Sequence, residues 1–101
     1  MAWELACKES DVGNGTAVVA EVSGKRLAIC NTGDGIYAID DICTHDGGSL
    51  DQGTLMGKQI ECPRHGARFD VTTGRVMALP AVRPVKAYPT RVVDGAVEVD
   101  V

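Results

Sequence analysis

The chain has 101 residues, of which 45% are apolar and 24% charged, and its formal net charge at pH 7 is −4. This length suffices for one domain with its own core, and the composition is that of a globular rather than a disordered protein. The acidic balance argues against a nucleic-acid-binding protein, which normally presents a basic surface. No apolar segment approaches the length of a membrane span, and the first residues lack a signal peptide, so we expect a cytoplasmic protein with no membrane partner.

The distribution of glycine, proline and valine predicts an all-β chain. Twelve glycines and four prolines interrupt the sequence too often for long helices, whereas the short β-branched segments between them favour strands. Predicted tight turns at Ser23-Gly24, Thr73-Gly74 and Asp94-Gly95 separate these strands. We predict strands over residues 16–22, 25–31, 35–40, 69–71, 75–77, 91–93 and 97–101.

Three irregular segments interrupt the strand pattern and are the candidate positions for a functional site. They cover residues 42–55, residues 62–66 and the region around Pro80 and Pro84. Loops carried on a rigid β scaffold are where binding and redox groups usually lie.

The two histidines of the chain both lie beside a cysteine in these loops. The first loop carries the pattern C-x-H at Cys43 and His45, and the second carries C-x-x-H at Cys62 and His65. Thiolate and neutral imidazole are the side chains best suited to soft and borderline metals. Two such loops that face each other supply four ligands to one metal centre.

The mixed composition of each loop distinguishes two kinds of metal centre. A structural zinc ion held by two cysteines and two histidines is one interpretation, but zinc loops usually pair cysteine with cysteine and histidine with histidine. A binuclear iron–sulfur cluster accommodates the mixed pairing, because each loop can place its cysteine on one iron and its histidine on the other.

These two motifs resemble those of the Rieske [2Fe–2S] family, and the chain length resembles that of a Rieske-type ferredoxin from a bacterial aromatic-ring-hydroxylating dioxygenase system. The similarity runs from about Gly35 to the final hairpin. The resemblance implies one [2Fe–2S] cluster per chain. It further implies that Cys43 and Cys62 bind the inner iron, and that His45 and His65 bind the outer, solvent-side iron.

The resemblance also implies an architecture. We expect a single domain over residues 1–101, with antiparallel sheets in a sandwich and a smaller cluster-binding lobe of roughly residues 42–81 inserted into a β base lobe. In that lobe the two ligand loops are joined by a proline loop around Leu79-Pro80-Ala81 that covers the cluster.

The expected function is that of a soluble one-electron carrier rather than an enzyme. The chain is too short for a nicotinamide domain, and no histidine is left over for a mononuclear iron site. The resemblance implies a monomer that transfers electrons from an NAD(P)H-dependent flavoprotein reductase to a terminal Rieske-type oxygenase through transient contacts. Three alternatives stay open: a small Rieske subunit resembling that of nitrite reductase, a zinc-stabilised interaction module, and a redox sensor.

Departures from the high-potential members of the family predict a low midpoint potential. Gly48 and Arg64 occupy the positions of an extra cysteine pair, and Ala67 and Phe69 replace a serine and a tyrosine whose hydroxyls donate to sulfur. Because donors to sulfur favour the reduced state, their absence lowers the potential. We expect roughly −150 mV, the lower end of the range for mixed cysteine and histidine ligation.

Three further residues are predicted to be structural. Cys7 and Cys30 have no metal-like neighbours in the sequence and are expected to be small buried apolar residues. Trp3 is expected to pack onto the β base. Asp46, beside His45, is open to two interpretations: it orients the imidazole or it faces water.

Overall fold

The computed structural model describes residues 2–43, 48–63 and 66–101. Within these ranges the regular structure consists of antiparallel strands and two short 3₁₀ helices, at Glu9–Asp11 and Leu50–Gln52, which confirms the all-β prediction. No helix in the described ranges is long and apolar enough to cross a membrane. The strands are, in chain order, β1 (Trp3–Lys8), β2 (Ala17–Val22), β3 (Lys25–Asn31), β4 (Ile36–Asp40), β5 (Thr54–Met56), β6 (Gln59–Glu61), β7 (Arg68–Asp70), β8 (Val76–Ala78), β9 (Ala87–Tyr88), β10 (Thr90–Val93) and β11 (Ala96–Asp100).

The strands form three antiparallel sheets with the orders β1-β11-β10, β2-β3-β4-β9 and β5-β6-β7-β8. The first two sheets combine strands from both ends of the chain and form a base. The four strands of the third sheet follow one another in the chain and lie between β4 and β9. The segments predicted to carry the metal ligands therefore adjoin this third sheet.

The two faces of β3 contribute to two different hydrophobic cores. Side chains alternate between the faces of a strand, so Leu27 and Ile29 pack in the core of the base, whereas Ala28 and Cys30 pack in the other core. The base core also contains Val12, Ala20, Val22, Ala38, Tyr88, Val97 and Val99. The second core, which we call the site core, contains Ala28, Cys30, Ile39, Cys43, Leu50, Ile60, Cys62, Ala67, Phe69, Val71, Ala81 and Val85.

Predicted strands with clear alternation or a glycine turn are present within a residue or two of their expected bounds. Asp94 and Gly95 have left-handed φ angles of 50° and 77°, as a type I′ hairpin turn requires, and β10 and β11 pair across them. The final strand ends at Asp100 rather than Val101.

Four strands were not predicted from the sequence: β1, β5, β6 and β9. The prediction that residues 42–55 are wholly irregular is wrong at its end, because a 3₁₀ turn begins at Leu50 and β5 begins at Thr54. β5 and β6 have three residues each, which is too short to show alternation. Trp3 is 39% exposed and packs on the base through Arg91 of β10, whose guanidinium lies 4.4 Å from its ring centroid.

Candidate metal centre

The structure buries both cysteines of the predicted ligand set in the site core. Cys43 is 0% exposed and follows the end of β4, and Cys62 is 1% exposed and follows β6 directly. Two separate strands therefore deliver one sulfur each to the same apolar interior. The predicted ligands His45 and His65 lie outside the described residues, as do Asp46 and Arg64.

The two cysteine loops are closed by the same backbone hydrogen bond. The Cys43 N–H donates to the Gly48 carbonyl at 2.7 Å, and the Cys62 N–H donates to the Ala67 carbonyl at 2.6 Å, five residues later in both loops. In the second loop, Gly66 also adopts a left-handed φ of 78°, which a side chain would disfavour. Each cysteine is therefore bonded through its backbone to the residue five positions later, although the two motifs have different internal spacings.

Apolar side chains surround the two sulfurs and exclude water from them. Leu50, Ile60, Ala67 and Phe69 are all 0% exposed and belong to the same core as the cysteines. Ala67 and Phe69 are the two positions at which the sequence analysis noted a missing hydroxyl, and neither side chain has a hydrogen to donate to sulfur. The burial of the sulfurs and the lack of a hydroxyl at these two positions leave added negative charge less stabilised.

A third segment, around Pro80, completes the enclosure. Ala81 is 0% exposed and packs in the site core, whereas its neighbours Leu79 and Val82 are 76% and 78% exposed. The base of this segment is held by a hydrogen bond of 2.9 Å from the Val85 N–H to the Gly74 carbonyl. The segment thus covers the core with one buried methyl group and presents two apolar side chains outward.

An ion pair lies at the base of each cysteine loop, and neither pair was predicted from the sequence. Arg68 Nε lies 3.1 Å from Glu61 Oε2, across the strands that flank the second loop. Arg26 Nε lies 2.8 Å from Asp41 Oδ2, just before the first loop. The available signal was the acidic residue that precedes each of these two cysteines within two positions.

The other two cysteines differ from each other. Cys30 is 0% exposed in the site core, and burial, with a smaller contribution from the negative charge of Asp41, raises the pKa of its thiol to about 12. The prediction of a buried apolar cysteine is confirmed for Cys30. Cys7 is only half-buried against the base core, and burial and then Asp11 raise its pKa. Both thiols are therefore neutral at pH 7.

Comparison with known proteins now identifies the family. The family model for the Rieske [2Fe–2S] domain matches residues 2–89. The chain belongs to the Rieske [2Fe–2S] domain family.

Individual Rieske relatives match over nearly the whole chain. The ferredoxin component of the naphthalene 1,2-dioxygenase system of Pseudomonas putida is 38% identical over 97% of this chain and 94% of its own length. The ferredoxin of carbazole 1,9a-dioxygenase from Nocardioides aromaticivorans superposes with a TM-score of 0.92 at 34% identity, covering 98% of this chain and 97% of that one. A solved complex of reduced oxygenase and oxidised ferredoxin in carbazole 1,9a-dioxygenase contains a chain with a TM-score of 0.89 and 40% identity, covering 96% and 91% of the two chains.

The Rieske fold and the cofactor follow from these findings. The fold is the predicted all-β Rieske type, and the cofactor is a [2Fe–2S] cluster of Rieske type. The residues fit this group, because two buried cysteines from separate closed loops share one water-excluding core. The relatives are ferredoxin components, so this chain is an electron-transfer protein rather than the catalytic component of its system, and the zinc-module interpretation is set aside.

Proposed function

We propose that Cys43, His45, Cys62 and His65 bind the single cluster, with the cysteines on the inner iron and the histidines on the outer iron. The burial of both cysteines in one core supports the inner position of the sulfurs. The family match supports the mixed ligand set, and these are the only two histidines in the chain. When bound, the cluster supplies one-electron redox chemistry.

The proposed cluster lobe comprises residues 42–81 within a single domain of residues 1–101. Its support is the topology: the third sheet and the three enclosing segments fall between β4 and β9 in the chain, and the strands of the base come from both sides. The role of the chain's own residues in this lobe is to hold the cluster, exclude water and leave one edge accessible to a partner.

The proposed partners are a flavoprotein reductase that uses NAD(P)H as electron donor and a terminal Rieske-type oxygenase as electron acceptor. The acceptor is favoured by the near-full-length similarity to ferredoxin components of dioxygenase systems and to a chain from an oxygenase–ferredoxin complex. The donor follows from the chemistry, because a carrier of single electrons must be reduced by a group that divides the two-electron hydride of the nicotinamide. The protein is proposed to act as a cytoplasmic monomer.

Three exposed apolar side chains lie where a transient partner would reach the cluster lobe. Leu79 and Val82 flank the buried Ala81, and Ile42, which is 47% exposed, directly precedes Cys43. Apolar side chains of this exposure are typical of contact surfaces when they cluster. Because the segments that carry them adjoin both cysteines, a partner bound to them would stand close to the cluster.

The decisive experiment follows electrons through the purified protein. The brown holoprotein is reduced anaerobically by an NADH-dependent flavoprotein reductase and then mixed with an oxidised terminal oxygenase, while visible absorption and EPR report the state of each cluster. We expect one electron per chain and a midpoint near the lower end of the Rieske range, roughly −150 mV. A midpoint above +100 mV would refute the low-potential proposal.

A substitution at the exposed apolar pair separates docking from reduction potential. The Leu79→Ser, Val82→Ser double variant is expected to raise the KM for the oxygenase severalfold and to leave the midpoint unchanged. If the double variant transfers electrons to the oxygenase with an unchanged KM, Leu79 and Val82 do not belong to the docking surface. Stable co-purification with a large catalytic chain would instead favour the subunit of a larger redox enzyme.

A further inference from the structure

Asp41 has the most buried charged side chain in the described part of the protein. The residue is 6% exposed, its carboxylate is 0% exposed, and it is the one buried polar residue among residues 2–43, 48–63 and 66–101. An isolated carboxylate in such a position is costly, because it loses its hydration. Its place in the fold, two residues before Cys43, requires an explanation.

The Asp41 carboxylate accepts three hydrogen bonds that connect separate segments of the chain. Oδ2 accepts from Arg26 Nε on β3 at 2.8 Å and from the Ser49 hydroxyl at 2.6 Å. Oδ1 accepts from the Asp51 backbone N–H at 2.7 Å. The Asp41 N–H in turn donates to the Arg26 carbonyl at 3.0 Å, so both the backbone and the side chain of Asp41 are fixed to β3.

These contacts join the two ends of the first cysteine loop. Asp41 lies before Cys43, whereas Ser49 and Asp51 lie just after Gly48. The loop is therefore closed twice, by the backbone bond between Cys43 and Gly48 and by the carboxylate outside it. The Ser49 hydroxyl lies between the Asp41 and Asp51 carboxylates and has one proton to donate, and only its bond to Asp41 joins the two ends of the loop.

The second cysteine loop is held in a different way. Its flanking ion pair, Glu61 with Arg68, is partly exposed, with side-chain exposures of 33% and 44%, and it adds to the paired strands β6 and β7. Exposed ion pairs contribute little to stability. The first loop has no such strand pair at its exit, because Leu50–Gln52 is a 3₁₀ turn. The buried carboxylate takes the place of that strand pairing.

We propose that Asp41 is the positioning residue of the first cluster loop. Its carboxylate anchors the two ends of this loop to β3, with Ser49 as its partner on the far side, and so controls how readily the cluster is released. This inference rests on the proposed role of Cys43 as a ligand. Asp41 itself does not touch the reacting group; it acts through the loop that carries Cys43.

The test compares holoproteins with single substitutions. Ser49→Ala removes the hydroxyl that donates to Asp41, and Ser49→Thr keeps a hydroxyl at this position. Asp41→Asn replaces the carboxylate that accepts from Arg26 with a neutral amide. Glu98→Gln is the matched control for lost negative charge, because Glu98 pairs with Arg91 at 2.6 Å on the base, in strands that carry no cysteine loop. The readouts are the rate of bleaching by an iron chelator, the EPR spectrum and amide hydrogen exchange of residues 41–51.

The expected pattern is specific to the first loop. Ser49→Ala should bleach roughly tenfold faster than the wild type, because it loses one hydrogen bond to a buried charged group. Asp41→Asn should bleach faster than Ser49→Ala. Ser49→Thr should restore the wild-type rate to within about twofold, and Glu98→Gln should leave it unchanged. Faster exchange should appear at the Asp51 amide and not at the amides of the second loop.

Two results would overturn the proposal. Bleaching of Ser49→Ala at the wild-type rate, with unchanged exchange at the Asp51 amide, would refute it even where Asp41→Asn does not fold. If Glu98→Gln and Asp41→Asn raised the bleaching rate equally, the loss of one negative charge would explain the result and no positioning role of Asp41 would be needed. A wild-type protein that binds no cluster would refute the proposed function instead, which keeps the two failures distinct.

Discussion

Gly53 offers a sharp test of how the two cysteine loops are joined. It lies directly after the 3₁₀ turn Leu50–Gln52 and before β5, and its backbone packs on the carbonyl of Glu61, the residue that precedes Cys62. The φ angle of Gly53 is −81°, which alanine adopts without strain. The substitution Gly53→Ala therefore tests close approach alone, without a contribution from backbone conformation.

The size of the effect follows from the geometry. A Cβ atom at position 53 would lie 2.0 Å from the Glu61 oxygen, whereas Cβ atoms essentially never come closer than 3.0 Å to a neighbour, so the two segments must separate by about 1 Å. Both are backbone and cannot turn away as a side chain would. We expect a loss of about 3 kcal/mol, the upper end for overpacking. This corresponds to a fall in Tm of roughly 12–24 °C for a chain of this size.

The assay is thermal unfolding of the holoprotein, followed together by circular dichroism and by the visible absorption of the cluster. Because Leu50 and Cys62 belong to the site core, the absorption should bleach at or below the unfolding temperature. Gly13→Ala is the matched control, because Gly13 is exposed and has no positive φ, and the atom nearest to the new Cβ, Thr16 Oγ1, would lie 3.9 Å away.

We expect Gly13→Ala to unfold at the wild-type temperature or slightly above it, because alanine reduces the entropy of the unfolded chain. A Gly53→Ala protein that keeps the wild-type Tm within about 2 °C and retains its absorption would contradict the close approach and the reasoning built on it.

Three further predictions concern the proposed cluster site and the core beside it. Phe69→Tyr and Ala67→Ser should each raise the midpoint potential by about 40 mV, because each adds a hydroxyl that can donate to sulfur in the reduced state. This shift is the equivalent of one hydrogen bond of about 1 kcal/mol. Spectroelectrochemistry measures the midpoint potential, and a lowered value would contradict the prediction. His65→Ala should lose the Rieske EPR signal, and an unchanged spectrum in that variant would refute the ligand assignment. Cys30→Ala should keep the spectrum but lessen a pH effect. Because the folded thiol has a pKa of about 12 against an ordinary value of 9.0, the unfolded thiol ionises first, so the free energy of unfolding of the wild type should fall from pH 9 to 12. Tyr88, whose pKa is also raised to about 12, contributes to the fall in both proteins, so the variant should show the shallower one. Denaturant titrations across that pH range measure the free energy of unfolding. If it falls equally steeply with pH in both proteins, burial does not raise the pKa of the Cys30 thiol.

The sequence was sufficient for those parts of the fold that depend on local signals. The Asp94-Gly95 turn and the alternation of β11 predicted the final hairpin, because turn type and side-chain direction are properties of a few adjacent residues. β1 was missed because it pairs with β11 from the opposite end of the chain. β5 and β6 were missed because three residues are too few to show a period.

The sequence by itself determined the candidate ligands, since thiolate and imidazole side chains in two short loops favour soft or borderline metals, and the resemblance of the motifs to the Rieske family indicated the cluster. Only the tertiary structure decided that Cys43 and Cys62 share one dry core, that Ala81 covers it and that Asp41 closes the first loop. The contact between Arg26 and Asp41 joins residues fifteen positions apart. Such contacts arise from the packing of β3 against the loops, and no local pattern in the amino-acid sequence encodes that packing.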